Sequence, residues 1–376
     1  MRVGVTAFYS RLKRMPSEVI RNLVRLNAER LTPVIESLGG ANPEPIPGYV
    51  VRVLDGNHLN KTQRRLKVLR DVAAGPLPGQ TLVVLSPAMG LALDVIACED
   101  GHASERSLIA PILESVKENE AWIADSNFCT NHFLFGIHER QAAFIIRRHA
   151  GFSCWERETA WESAGRINTG TLMEQTLWLC GHDGSTMEAR RIRLTLNAPT
   201  SDGETEIEIL TNLPREVATA AVVAEQYRER WTVKGLFRNL KTVLRCEVNT
   251  LGYPPAALFA FGVALLASNI YATVKAALRA EHGSKAVDKL SDYHTALEVS
   301  GTRLGLEIAV SEAVWTEIGD WSFFELAAWL RSVLGGVKLS RYRKASRGPK
   351  KPPRPRTRFA NSRHVSTARL LKGEQI

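Results

Sequence analysis

Residues 227–244 read Tyr-Arg-Glu-Arg-Trp-Thr-Val-Lys-Gly-Leu-Phe-Arg-Asn-Leu-Lys-Thr-Val-Leu, and no other stretch of the 376-residue chain says as much. Wound at 100° per residue, Tyr227, Arg230, Lys234 and Lys241 fall within an arc of about 60° on one helix face. Val233, Leu236, Phe237, Leu240, Val243 and Leu244 gather on the other side, as the apolar stripe of a helix packed on a core. A tyrosine and three cations on one stripe suit an anionic polymer. By spacing alone, a solvated basic face accounts for them as well.

Hydrophobic content of 44% and charged content of 23% are ordinary globular values. The length suits one large domain with an insertion, or two domains. The five cysteines (Cys98, Cys129, Cys154, Cys180 and Cys246) are scattered without CxxC spacing, so neither a zinc site nor a disulfide framework is implied. Reduced thiols and a cytoplasmic location are the expectation. The N-terminus lacks the apolar core of a signal peptide. The apolar run 256–267 is too short to span a bilayer, and Asn269 and Lys275 follow it, which predicts a buried helix and no membrane partner.

The net charge of +10 is not evenly spread: residues 337–376 hold 13 Lys/Arg against Glu374 alone, leaving about −2 on the rest. Pro349, Pro352, Pro353 and Pro355 fall in this tail, so its 350–358 segment is expected to be extended and poorly ordered. Such a segment can neutralise phosphates and strengthen non-specific nucleic-acid binding.

Along the chain, residues 16–38 form an amphipathic helical pattern ended by Gly39-Gly40, followed by a Pro/Gly/Asn-rich linker. A strand at 49–54 runs into Asp55-Gly56-Asn57-His58-Leu59. Strands at 81–85 and 91–98, joined by Ser-Pro-Ala-Met-Gly, predict a hairpin. Residues 107–116 are helical in pattern. A short buried strand at 121–124 closes on Asp125-Ser126-Asn127-Phe128, and a helix near 129–140 and a strand at 142–147 follow. Residues 150–213 carry Trp155, Trp161 and Trp178, with strands at 177–180, 192–196 and 204–210 and Asp-Gly turns at 183–184 and 202–203. A long helix at 256–278 follows Pro254-Pro255, and no internal repeat is visible.

Two aspartates, Asp55 and Asp125, each end an apolar strand in this reading. On neighbouring strands their carboxylates would project at the same end. With a third carboxylate from a helix they could hold two Mg²⁺ ions for in-line phosphodiester displacement. Taken alone, an aspartate at a strand end is more often a turn former.

The 227–244 stretch resembles the Y-x2-R-x3-E-x6-K signature of the IS4-type DDE transposases, with Tyr227, Arg230 and Lys241 at matching positions. Leu54-Asp55-Gly56 and Ala124-Asp125-Ser126-Asn127-Phe128 resemble the family's first and second catalytic motifs, and the resemblance covers roughly residues 50–275. It implies an α/β fold: a ribonuclease-H-like catalytic core, a mixed sheet with flanking helices, interrupted by a β-rich insertion. The implied segments are a truncated N-terminal helical region and linker (1–48), the first part of the core (49–149), the insertion (150–213), the signature helix and C-terminal helices of the core (214–336) and the basic tail (337–376). Asp55 and Asp125 become the expected catalytic and metal-binding residues, and Mg²⁺ or Mn²⁺ the expected cofactor. Tyr227, Arg230 and Lys241 become expected DNA contacts. Transposon-end and target DNA, and a second copy in a synaptic complex, become the expected partners.

The departure sits at the third metal-binding carboxylate, whose position holds Lys234. Glu229 and Glu225 lie about 140° and about 180° from position 234 on a helix and cannot replace it. An ammonium near two divalent ions is repelled in a partly desolvated cleft. The resemblance also implies a shortened DNA-binding region before Asp55. Trp231 is read as core rather than a stacking residue. His58 is read as solvated, and His102 with Glu105 as a loop and helix start capped by Ser104. The expected function is therefore that of a degenerate transposase, weakly active or inactive. The alternative is a non-catalytic DNA-binding remnant or regulator of an active transposase.

Overall fold

The computed structural model describes residues 4–59, 66–70, 72, 74–200, 202–248, 251–345 and 363–374. Two helices open the chain, α1 (Val5–Leu12) and α2 (Ser17–Leu38). Helix α2 buries Ile20, Val24, Ala28, Val34, Ile35 and Leu38, a stripe at helical spacing, and ends where Gly39 takes φ 65°. Strands β1 (Val50–Leu59), β2 (Gly75–Leu77), β3 (Gly79–Ser86) and β4 (Leu91–Cys98) follow. Strand β3 pairs antiparallel with both β1 and β4, and the β3–β4 turn closes on Gly90 at φ 75°.

Next come α3 (Ala110–Leu113), β5 (Glu120–Ala124), α4 (Asn131–His138) and β6 (Ala143–Arg147). The helix expected at 107–116 shrinks to α3 and a preceding 3₁₀ turn, Glu105–Leu108. Ser104 holds the cap position of that turn, yet its hydroxyl makes no capping bond; its carbonyl instead accepts from Ser107 Oγ at 2.7 Å. Strand β5 lies parallel to β1, and β6 lies parallel to β5.

The tryptophan-bearing segment supplies five strands: β7 (Trp155–Glu158), β8 (Glu162–Ile167), β9 (Gly170–Cys180), β10 (Thr186–Leu196) and β11 (Glu206–Thr211). They continue the same sheet, because β11 pairs antiparallel with β6. The sheet runs β4-β3-β1-β5-β6-β11-β10-β9-β7, with β8 also on β9. Gly184 and Gly203 take φ of 84° and 83° in the two Asp-Gly turns read from the sequence.

The rest is largely helical: α5 (Ala220–Glu229), α6 (Trp231–Thr242), α7 (Pro254–His282), α8 (Ser284–Val287), α9 (Asp292–Ala309), α10 (Glu312–Gly319) and α11 (Phe323–Gly335). The signature stretch is thus two helices, not one. At Arg230 the backbone tightens: Arg230 N–H bonds to Tyr227 O, and Val233 N–H to Arg230 O, both at 3.2 Å. Of the basic tail, 350–358 lies outside the described residues. Its end folds back: β12 (His364–Ser366) pairs parallel with β2, and α12 (Thr367–Leu371) follows.

Helices cover both sheet faces. On one side Val24, Val223, Tyr227, Val233, Phe237, Leu240, Phe261 and Leu265 pack with Val51, Val53, Ala121 and Ile123. On the other, Ile112, Leu113, Phe133, Leu134 and Ile137 pack with Leu54, Trp122 and Ala124. Odd-numbered residues of β1 and β5 therefore face α5 and α6, and even-numbered ones face α3 and α4, as strand alternation requires.

Helix α7 is long and apolar enough to cross a membrane by length and composition. It packs along α2 and α11 and against β4, as a core helix does. Where it crosses α2, a Cβ on Gly262 would collide with Ile20. Asn269, fully buried, accepts from Ala92 N at 2.7 Å and donates to Ala92 O at 2.9 Å, covering the free edge of β4. Asn269→Leu strands both backbone groups and should cost about 2–4 kcal/mol, read as a lower urea midpoint. An unchanged midpoint would refute this account of the edge.

Candidate active site

The site begins with register. Val53 of β1 stands opposite Ile123 of the parallel strand β5, so Asp55 and Asp125, two residues further on, are level on neighbouring chains. Both continue the odd-numbered series and face α5 and α6. One expectation is corrected: Asp55 does not end its strand. Strand β1 continues to Leu59 because β3 pairs with it throughout, Asp55 opposite Val83, and this pairing overrides the Asp-Gly-Asn turn signal. Asp125 does follow the last residue of β5, and its carboxylate caps the next 3₁₀ turn by accepting from Asn127 N at 2.9 Å.

Asp55 is 4% exposed. Its Oδ1 accepts from Gly56 N at 3.0 Å, and its Oδ2 accepts from Arg230 Nη1 at 3.1 Å. Burial pushes its carboxyl up to about 6; the Arg230 charge opposes this, the neighbouring Asp125 adds to it, and Lys234 opposes it again. Arg230 is itself 4% exposed and lies 5.5 Å from the centre of the Tyr227 ring. Tyr227 is buried too, and burial raises its hydroxyl pKa against the fields of Arg230 and Arg147. Lys234 is exposed, yet close enough for its charge to act on Asp55. The structure thus brings Asp55, Asp125, Tyr227, Arg230 and Lys234 together.

Lys241 stands further along the same face. Its Nζ donates to His58 O at 3.3 Å and pairs with Glu247 Oε1 at 3.1 Å. Glu247 and Arg147 are contributors that sequence spacing did not single out: neither falls in a motif, and both arrive through the fold. Glu225 and Glu229 are exposed, and Glu229 pairs with Arg228 at 3.4 Å, so neither joins the aspartates. The side chain of Trp231 lies outside the described residues. Glu105 sits over Gly56, where it accepts from Asn127 Nδ2 at 3.1 Å, on the sheet face away from Asp55.

The donor set does not fit a pair of divalent ions. Such a pair takes oxygens from about three carboxylates. Here two carboxylates converge, one of them already bonded to a guanidinium, and the Lys234 ammonium is close enough for its charge to act on Asp55. Among the described residues no cluster of three or more His, Cys, Asp or Glu is placed to hold a metal.

The chain matches the family described as Transposase DDE domain over residues 79–270, just over half its length; the matched span contains Asp125 and 227–244 and begins after Asp55. Among solved structures it is similar to a piggyBac transposase in a synaptic complex with hairpin DNA, with 8% identity and a TM-score of 0.38. The match covers 76% of this chain and 57% of that one, so the chain spans little more than half the length of that transposase. No curated protein matches the chain.

The raised Asp55 carboxyl has a signed consequence. Between the unfolded value of 3.8 and about 6 the folded chain binds the extra proton, so stability rises as pH falls through 6. The full gain for this shift is ~3 kcal/mol, of which about 2 kcal/mol is in place by pH 4.5. Asp55→Asn lacks that proton. The wild-type-minus-variant difference in urea stability should therefore grow by about 2 kcal/mol in the wild type's favour from pH 7 to pH 4.5. A difference that is flat with pH would contradict the buried, elevated carboxyl.

Proposed function

The chain belongs to the Transposase DDE domain family, and from that premise we propose that it is a degenerate IS4-type transposase, binding element-end DNA but weak or inactive in strand cleavage. Strand order and polarity support a ribonuclease-H-like core: β4-β3-β1-β5-β6, with β1, β5 and β6 parallel and β3 antiparallel to β1. In this reading residues 49–149 and 214–336 form the core, 150–213 the insertion and 1–48 an N-terminal helical region. The cytoplasmic location expected from the sequence goes with it.

The observation that carries the proposal is the charge set around Asp55. A DDE site works through Mg²⁺ or Mn²⁺ held by three carboxylates, the ions activating the attacking oxygen and stabilising the leaving one. This donor set falls one carboxylate short and adds Lys234, so no such step is assigned to it. The residues present do something else. Arg230 neutralises Asp55, Tyr227 packs on Arg230, and Lys234 and Arg238 offer positive charge at the exposed side of α6. DNA lies, in this reading, along the face of α5 and α6 that carries Tyr227, Arg230 and Lys241, and a second copy completes a synaptic assembly.

The same lysine favours the second reading, a DNA-binding regulator of an active transposase: a cation at 234 keeps attraction for phosphates while removing cleavage. A nicking assay with Mg²⁺ on DNA carrying the element's ends separates lesion from scaffold. The Lys234→Glu chain should cleave at least ~100-fold faster than the wild type, the order of loss seen when one key electrostatic group is removed. Robust cleavage by the wild-type chain would overturn the inactive reading, and silence in both would show that Lys234 is not the sole defect.

A further inference from the structure

The folded end of the basic tail does more than close the chain. Gly75 N–H donates to Arg363 O at 2.9 Å, and His364 stands opposite Gly75 in the two-stranded β12–β2 ladder. Val365, 2% exposed, sits in a small apolar cluster with Leu66, Leu69 and Ala74. Arg369 Nε donates to Asp100 Oδ2 at 2.8 Å. These bonds hold Arg363 and His364 over the loop at 99–103. That loop is fixed in turn: buried Gln80 donates from Nε2 to the carbonyls of Asp100 (3.2 Å) and Ala103, and Gly101 packs so closely on Leu77 that a Cβ would meet Leu77 Cβ at 2.6 Å.

Between these parts lies a cavity of about 660 Å³ lined by His58, Leu77, Gly101, His102, Ala103, Arg363 and His364. Its ionisable lining is three imidazoles and one guanidinium, with no carboxylate. The charges acting on His58 from neighbouring elements are Glu105, Lys241, His102 and His364. Burial holds the His58 imidazole below its ordinary value; Glu105 opposes this, and Lys241 and the other two histidines add to it. A lining of one guanidinium and three imidazoles without a carboxylate suits an anion.

We propose that this cavity binds a phosphodiester of the DNA backbone, with Arg363 as the cation and the imidazoles of His58, His102 and His364 as hydrogen-bond donors. The proposal rests on the DNA-binding reading above and makes it specific. His58 follows Asp55 by three residues on β1, about 10 Å at ~3.3 Å per residue, and points to the opposite sheet face. DNA seated in the cavity would pass the carboxyl end of β1, and the C-terminal segment would be part of the DNA-facing surface. A free phosphate has the same chemistry, so the test separates the two.

Arg363→Gln leaves the backbone pairing of residue 363 in place, and the side chain is exposed, so the fold is retained. Histidine resonances of the full chain are followed during titration with inorganic phosphate, and duplex-DNA binding is followed by fluorescence anisotropy over a range of salt. Phosphate should shift the His58, His102 and His364 resonances in the wild type and not in Arg363→Gln. Arg363→Gln should weaken DNA binding several-fold and lower the salt slope by about one. Absent phosphate shifts, or wild-type DNA binding that Arg363→Gln leaves unchanged, would overturn the proposal while sparing the DNA-binding reading. Phosphate shifts in a wild-type chain that binds no DNA would sink both the DNA assignment and that reading, leaving a site for free phosphate only.

Discussion

A carboxylate taken out of water must find a cation or a proton. Asp55 is held in the sheet by its pairing with Val83 of β3, two residues beyond the last pair of β1 with β5, and it lies buried there. Level with it stands a second aspartate. The helix segment that packs over the pair must therefore deliver positive charge, and in this chain it does so from its own side chains. The ion pair of Arg230 with Asp55 explains why an arginine lies buried at the junction of α5 and α6, and the backbone tightens there. It also explains why Tyr227 is buried: its ring fills the space beside the guanidinium. The apolar stripe of Val233, Phe237 and Leu240 then fixes the helix at the height this contact requires.

Much of this was legible in the sequence because strand and helix periodicities survive folding. The amphipathic helix ended by Gly39, the strand at 91–98 and both Asp-Gly turns form where the pattern put them. The convergence of Asp55 with Asp125 followed from two strand positions and the assumption that those strands are neighbours, which the parallel register bears out. Two things were hidden. Pairing partners decide strand length, so β1 runs four residues past Asp55, through a stretch whose local chemistry favours a turn. A helical wheel assumes unbroken winding, and it could not show the tightening at Arg230, the residue that bonds Asp55 175 positions away in the chain.

The tail teaches the complementary lesson. The extended segment expected at 350–358 lies outside the described residues, and the sequence pattern placed nothing beyond it. The few residues that matter, Val365, Thr367 and Ala368, are sparse but buried, and they bring the chain's end back to β2. Long-range pairing of this kind leaves no local periodicity by which to find it. The basic character read from the sequence and the fold then work together, since the pairing delivers Arg363 and His364 to a fixed place.

The central claim is that this chain's own cations occupy the electrostatic role that divalent ions fill at a three-carboxylate site. Direct titration with Mn²⁺, followed by electron paramagnetic resonance of the free ion, tests it without reference to activity or to any DNA. The wild-type chain should leave Mn²⁺ free up to millimolar concentration, while a chain carrying glutamate at 234 should take up the ion at the Asp55–Asp125 pair. Saturable, micromolar uptake of two ions by the wild-type chain would contradict the account.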